Sequence, residues 1–188
     1  MPVISCRQRP ARHFFTGFFL VLAPIYNVAV DFFLRDFDKR DFETLWRIDQ
    51  ACFAPGISYS QPELAAYIRL LGSFTLVAEN ATAAEPRLLG FVVAKARRGR
   101  QGHIITIDVL PIARRLGLGS KLLSAAEDRL RTAQCTTVRL ETAVNNASAL
   151  AFYKHHGYFV TETIPRYYPD GIDAFVLEKN LLSAPPGK

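Results

Sequence analysis

Chemistry is concentrated between residues 103 and 123, where a basic, glycine-bearing turn joins two regular runs. Arg114, Arg115, Gly117 and Gly119 fall in that turn. Residues without side chains let a polyanion approach the backbone, and the first turn of a following helix offers unpaired N–H groups at the positive end of its dipole. Phosphate is the guest that such a turn suits. Taken alone, a glycine turn into a helix is more often structural, so its meaning depends on the elements around it.

Those elements follow from periodicity. Residues 104–109 alternate and are rich in β-branched types, which predicts a strand, and Leu118, Leu122, Leu123, Ala126 and Leu130 keep helical spacing to about Ala133. Residues 137–142 read as the next strand, so the turn belongs to a βαβ unit whose strands lie side by side and parallel. Asn146 opens a further helix that ends at Gly157. Upstream, residues 32–37 suit a first strand. An apolar stripe from about Arg40 to Cys52 includes Trp46, expected in the core, and Ser60 with Glu63 forms a capping-box signature for a second helix. Residues 74–79 and 87–96 form a hairpin that leads into the central strand. Residues 158–164 and 174–179 close the sheet, separated by an aromatic loop containing Tyr167 and Tyr168.

Composition sets the limits. With 188 residues, 49% hydrophobic and 21% charged, the chain suits one domain with a full core. Of the net charge of +6, Arg7, Arg9 and Arg12 supply three, in a first thirty residues with no acid before Asp31. The remaining excess fits a phosphate-bearing small molecule or an acidic patch on a partner, and direct nucleic-acid binding is not expected. Cys6, Cys52 and Cys135 have neither paired nor metal-ligand spacing, so no disulfide framework and no metal site is expected, and a cytoplasmic location fits. Cys135 reads as a small buried hydrophobe. Residues 1–30 are a basic, then apolar, extension. It is expected to reflect a wrong start, with a signal or membrane anchor as the other reading. The Pro-rich tail, 183–188, is expected to fray.

Together the motifs resemble the GNAT superfamily of acetyl-CoA-dependent N-acetyltransferases. The pattern Arg114-x-x-Gly117-x-Gly119 follows a strand ending at Val109-Leu110-Pro111. Asn146 to Tyr153 and Gly157-Tyr158 form a second motif, and Tyr167-Tyr168 precede Asp173-Ala174. Within the superfamily the likeness is greatest to RimI-like protein N-terminal acetyltransferases, which act on ribosomal proteins. The resemblance implies an α/β (α+β) GNAT fold for residues 31–182: a mixed, mostly antiparallel sheet of six to seven strands, with a splayed central parallel pair and about four flanking helices.

The resemblance also implies roles. Acetyl-CoA is the co-substrate: Arg114, Arg115, Leu116, Gly117, Leu118, Gly119 and Ser120 hold its pyrophosphate, Val109 main chain pairs with the pantetheine arm, and Asn146 hydrogen-bonds that arm. Glu141 matches the water-relayed base and Tyr153 the acid, while His103 shares the proton relay. For these positions the alternatives are a helix-cap Asn, a core Tyr, a salt-bridge Glu and a strand-end His. Tyr167 and Tyr168, with the loop of residues 53–59, frame the acceptor entrance. Family members often carry Pro-Trp-Ser in that loop where this chain has Pro55-Gly56-Ile57-Ser58, which leaves the first accepted residue undefined. The expected acceptor is a protein N-terminal α-amine. A small-molecule amine, a lysine side chain and a non-catalytic acyl-CoA-binding module are the other readings.

Overall fold

The computed structural model describes residues 31–53, 57–82 and 85–182; the expected extension (1–30), the tail (183–188) and residues 54–56 of the entrance loop lie outside the described residues. Among the described residues, seven strands and four α-helices follow one another as β1 (Phe32–Asp36), α1 (Phe42–Cys52), α2 (Gln61–Arg69), β2 (Ser73–Asn80), β3 (Leu88–Arg97), β4 (Gln101–Val109), α3 (Leu118–Thr132), β5 (Thr137–Ala143), α4 (Ala147–His155), β6 (Phe159–Ile164) and β7 (Ala174–Asn180). Local chemistry explains the boundaries. Asp38 and Asp41 make a reciprocal capping box on a short 3-10 turn that feeds α1, and Ser60 with Glu63 does the same for α2. Gly157, at φ +82°, takes the left-handed position that ends α4.

The strands form one sheet in the order β1-β2-β3-β4-β5-β7-β6. All neighbours are antiparallel except β4 and β5. Apolar residues of β3 alternate between two cores. Val92 and Ala94 face α3, whereas Phe91 and Val93 face α1 and α2. Gly102 lets α3 lie close on β4, because a Cβ there would fall 2.6 Å from the Leu130 side chain. Trp46, expected in the core, is only half-buried: its indole N–H donates to the Tyr59 carbonyl at 3.1 Å, which draws the ring to the loop side of α1.

The parallel pair is short. β4 and β5 are in register only at Gln101↔Thr137, Gly102↔Val138 and His103↔Arg139. Beyond that rung β5 keeps its full pairing with β7 and β4 keeps β3, so the two strands part. A bulge accompanies the parting: Ala94 pairs with Ile104 and Val93 with Thr106, leaving Ile105 as an extra residue. Bulges bend a strand and re-aim its side chains. Thr106 and Asp108 consequently sit opposite Val93 and Phe91, on the α1 face.

One buried polar cluster ties α3 to the far side of the sheet. Glu127, 4% exposed, accepts from Lys179 Nζ at 2.7 Å, Tyr158 Oη at 3.0 Å and Arg131 Nη2 at 3.3 Å. Removing one charge leaves its buried partner uncompensated. Glu127→Gln is therefore expected to lower the unfolding free energy by about 3 kcal/mol in urea titrations at pH 7, and a loss well under 1 kcal/mol would contradict this account of the cluster.

Candidate active site

The last paired rung of β4 and β5 carries the densest chemistry. His103 and Glu141 both stand on the α1 face, their side chains 14% and 11% exposed, and His103 Nε2 lies 2.7 Å from Glu141 Oε2. Arg139 donates to Glu141 Oε1 from Nη2 at 2.8 Å and from Nε at 3.2 Å. Arg97 Nη2 lies 2.8 Å from His103 Nδ1. A guanidinium can only donate, so Nδ1 must accept; the imidazole is then neutral, with its proton on Nε2 and directed at Glu141. Burial pushes the Glu141 carboxyl up. The hydrogen bonds from His103 and Arg139, with the Arg139 charge, outweigh it and hold Glu141 below the ordinary range, so it is anionic at neutral pH. His103 was expected at a strand end, but β4 begins two residues earlier and holds it in register with Lys95 and Arg139.

Tyr153 approaches from α4. It is buried, and burial together with the charges of Asp108 and Tyr168 pushes its hydroxyl above the usual tyrosine value, which keeps it protonated. Tyr167 and Tyr168 stack edge-to-face at 5.1 Å, and Glu141 acts electrostatically on both. Tyr59 and Tyr67 lie 5.0 Å apart, and each interacts electrostatically with Tyr167. The loop between β6 and β7 thus lies within electrostatic reach of both Glu141 and the Tyr59–Tyr67 pair.

The glycine turn lies at the open end. Gly117 caps α3 in the left-handed region at φ +80°, and Arg115 also has positive φ, at 65°. Lys121 N–H bonds Gly117 O at 3.0 Å as the first intrahelical bond, so the amides of Leu118, Gly119 and Ser120 have no acceptor within the helix. Arg114, Arg115 and Leu116 are exposed. These amides and two arginines fit a pyrophosphate. Ser120 Oγ is 2.9 Å from His156 Nε2, a partner not foreseen from sequence. Leu110 N–H bonds Leu89 on the β3 side, so strand alternation turns Val109 N–H toward the gap left by β5. The Val109 carbonyl accepts from Arg114 Nε at 3.0 Å and Cys52 Sγ at 3.3 Å. Asn146 is a helix cap whose Oδ1 accepts from Ala149 N–H and Ser148 Oγ, both at 3.1 Å, which leaves its NH2 as the group able to meet a ligand.

Sequence reasoning overlooked two carboxyls. Asp49 and Asp108 are 0% and 1% exposed, and one oxygen of each, Asp49 Oδ1 and Asp108 Oδ2, is buried without a hydrogen-bond partner among the described residues. Burial pushes Asp49 up to about 6, against the opposing bonds from Tyr59 N–H and Gln50. Asp108 is pushed up to about 8 by burial and by the Asp49 charge, although Thr106 Oγ1 donates to Oδ1 at 2.6 Å. The available signal was an acid at an inward position of a β-branched strand.

A sequence profile of the acetyltransferase (GNAT) family matches residues 26–158. The chain is 29% identical over 147 residues to an uncharacterized N-acetyltransferase of Methanocaldococcus jannaschii, covering 78% of this chain and 90% of that one. It is 34% identical over 100 residues to the N-terminal acetyltransferase A complex catalytic subunit of Arabidopsis thaliana, covering 50% of this chain and 52% of the relative, about half its length. The ribosomal-protein-S18-alanine N-acetyltransferase from Escherichia coli shares the fold, with a TM-score of 0.71 at 22% identity over 84% of this chain and 99% of that one.

Asp108 has a consequence for stability. Its value is raised on folding, so its contribution is complete below the free-carboxyl value of 3.8 and is lost as pH rises through about 8. Asp108→Asn is therefore expected to gain melting temperature relative to the parent chain as pH rises from 4 to 8, with the difference levelling off above 8; a difference independent of pH would contradict the raised value.

Proposed function

We propose, from the premise that this chain belongs to the acetyltransferase (GNAT) family and is an acetyl-CoA-dependent N-acetyltransferase, that its acceptor is the free amino terminus of a protein or peptide. The observation that carries this reading is the Glu141–His103 pair, seated where β4 and β5 part, with Tyr167 and Tyr168 within electrostatic reach of Glu141. The name of the Arabidopsis relative agrees with it.

The chain's own residues divide the work. Acetyl-CoA supplies the acetyl group as an activated thioester. The amides of Leu118, Gly119 and Ser120, with Arg114, Arg115 and the exposed Leu116, hold its phosphate end, and the Asn146 NH2 donates to the arm. Val109 N–H, facing the gap, donates to the carbonyl oxygen as negative charge develops there. Glu141 draws in the acceptor ammonium and takes its proton through water, while His103 orients the carboxylate. Tyr153, kept protonated by its surroundings, gives a proton to the departing sulfur.

The depressed Glu141 argues for the acceptor class. At pH 7 a free α-amine of pKa ~8 costs about 1.4 kcal/mol to present neutral, and a lysine of pKa ~10.4 about 4.6 kcal/mol. A carboxylate held by Arg139 and His103 is a weak base. It serves the first amine far better than the second.

The test is a panel of peptides differing at their first residues, ribosomal-protein termini among them, assayed with acetyl-CoA beside lysine side chains, polyamines and amino acids. Turnover of peptide α-amines is expected, falling about 100-fold or more in kcat for Glu141→Gln and for Tyr153→Phe. Turnover confined to free amines or lysine would overturn the acceptor assignment, and tight CoA binding without any turnover would favour a binding module.

A further inference from the structure

The two buried carboxyls have no part in the mechanism above, yet they lie against its centre. Asp108 directly precedes Val109. Its main chain points to β3, and its side chain projects to the α1 face, where Thr106 holds Oδ1 at 2.6 Å. Asp49, from α1, acts on it electrostatically and has Oδ2 committed to Tyr59 N–H at 2.8 Å and to Gln50 Nε2 at 3.0 Å. Each acid keeps one oxygen buried and unpartnered among the described residues. Such an arrangement costs stability above the pH at which the acids ionise. A leucine or asparagine at either position would spare the fold that cost, so packing alone does not account for the pair.

We propose that the buried carboxyl of Asp108, on the α1 face beside the tip of β4, is a positioning residue for acetyl transfer whose charge state governs the oxyanion site at Val109. The inference rests on the acetyltransferase reading given above. Protonated, Asp108 adds no negative charge beside Val109, and the Val109 N–H dipole acts on the carbonyl oxygen without opposition from it. Ionised, it sets a negative charge one residue away, in a wall with little water to screen it, and opposes the negative charge that the reaction builds. It also opposes proton release by Tyr153, on which its charge already acts.

The groups facing Asp108 can be named element by element. Asp49 and Cys52 come from α1, Tyr59 from the loop before α2, Arg114 from the turn before α3, and Tyr153 from α4. Of these, Asp49 disfavours Asp108 ionisation and Arg114 favours it. Burial holds Cys52, Tyr59 and Tyr153 protonated beyond their ordinary values, so none of them titrates ahead of Asp108. Asp49, pushed up only to about 6, is already ionised when Asp108 loses its proton at a pH of about 8.

The experiment is the pH dependence of kcat, at saturating acetyl-CoA and peptide, for the parent chain, Asp108→Asn and Asp49→Asn. The parent is expected to lose about tenfold between pH 8 and 9.5. Asp108→Asn removes that alkaline limb, and Asp49→Asn, by taking away a neighbouring negative charge, moves it to lower pH. Carboxyl NMR titration of Asp108 accompanies the kinetics and is expected to follow the limb. If Asp108→Asn does not fold, the shift caused by Asp49→Asn and the NMR titration still decide the matter. A limb unmoved by either substitution, or an Asp108 that titrates in the ordinary carboxylate range, overturns this inference alone. Absence of turnover on every peptide and amine overturns the transfer reading and this inference with it.

Discussion

The parting of β4 from β5 after a single stretch of three paired rungs is the constraint from which the rest of the molecule follows. β5 cannot stay with β4, because it pairs along its whole length with β7. β4 cannot follow β5, because it is held by β3 and carries an extra residue at Ile105. The wedge between them exposes strand main chain, Val109 N–H included, that an ordinary sheet would consume in its ladder. Helix α3 grows from the end of one arm of the wedge and α4 from the end of the other, so both helix starts face the same opening. The bulge also sets which side chains of β4 face α1, since without it Asp108 would lie on the α3 face.

Two carboxyl systems of opposite character flank that opening. Glu141, among His103, Arg139 and the tyrosines, is held as an anion. Asp108, with no cation bonded to it, is held as the acid. Burial pushes both carboxyls up; His103 and Arg139 outweigh it at Glu141, whereas the more deeply buried Asp108 has only the Thr106 hydroxyl bonded to it among the described residues. In the proposed reaction the first belongs to the amine that loses a proton, and the second lies where negative charge must accumulate. Divided protonation states of this kind let one cleft take a proton at one end and tolerate an oxyanion at the other.

Much of this architecture was legible from residue order. Capping pairs such as Ser60 with Glu63, the helical spacing of Leu118 to Leu130, and Gly157 at the end of α4 are local signals, and local signals survive translation into structure. The glycine turn and the family resemblance singled out the start of α3 and brought His103, Glu141, Tyr167 and Tyr168 forward as candidates, and the fold sets Glu141 against His103 and within electrostatic reach of both tyrosines. What escaped were long-range consequences. The insertion of β7 between β5 and β6 depends on pairing energies that no single segment carries. The Asp49–Asp108 proximity joins α1 to β4 across fifty-nine positions of chain, and Arg97 and Arg139 acquire meaning only once the hairpin and β5 place them beside His103 and Glu141. A bulge has no dependable sequence mark in a run such as Ile104-Ile105-Thr106-Ile107, where either register buries apolar residues.

The central claim is that the wedge between β4 and β5 is where the thioester is held. Backbone amide chemical shifts followed during titration with coenzyme A test it most directly, since they report position residue by residue without requiring turnover. The account predicts that the largest changes fall on Val109, Leu118, Gly119, Ser120 and Asn146. Changes confined to the cleft formed by Phe37, Phe74, Thr75 and Arg129 at the other side of the sheet, with Val109 and the start of α3 unmoved, would contradict it.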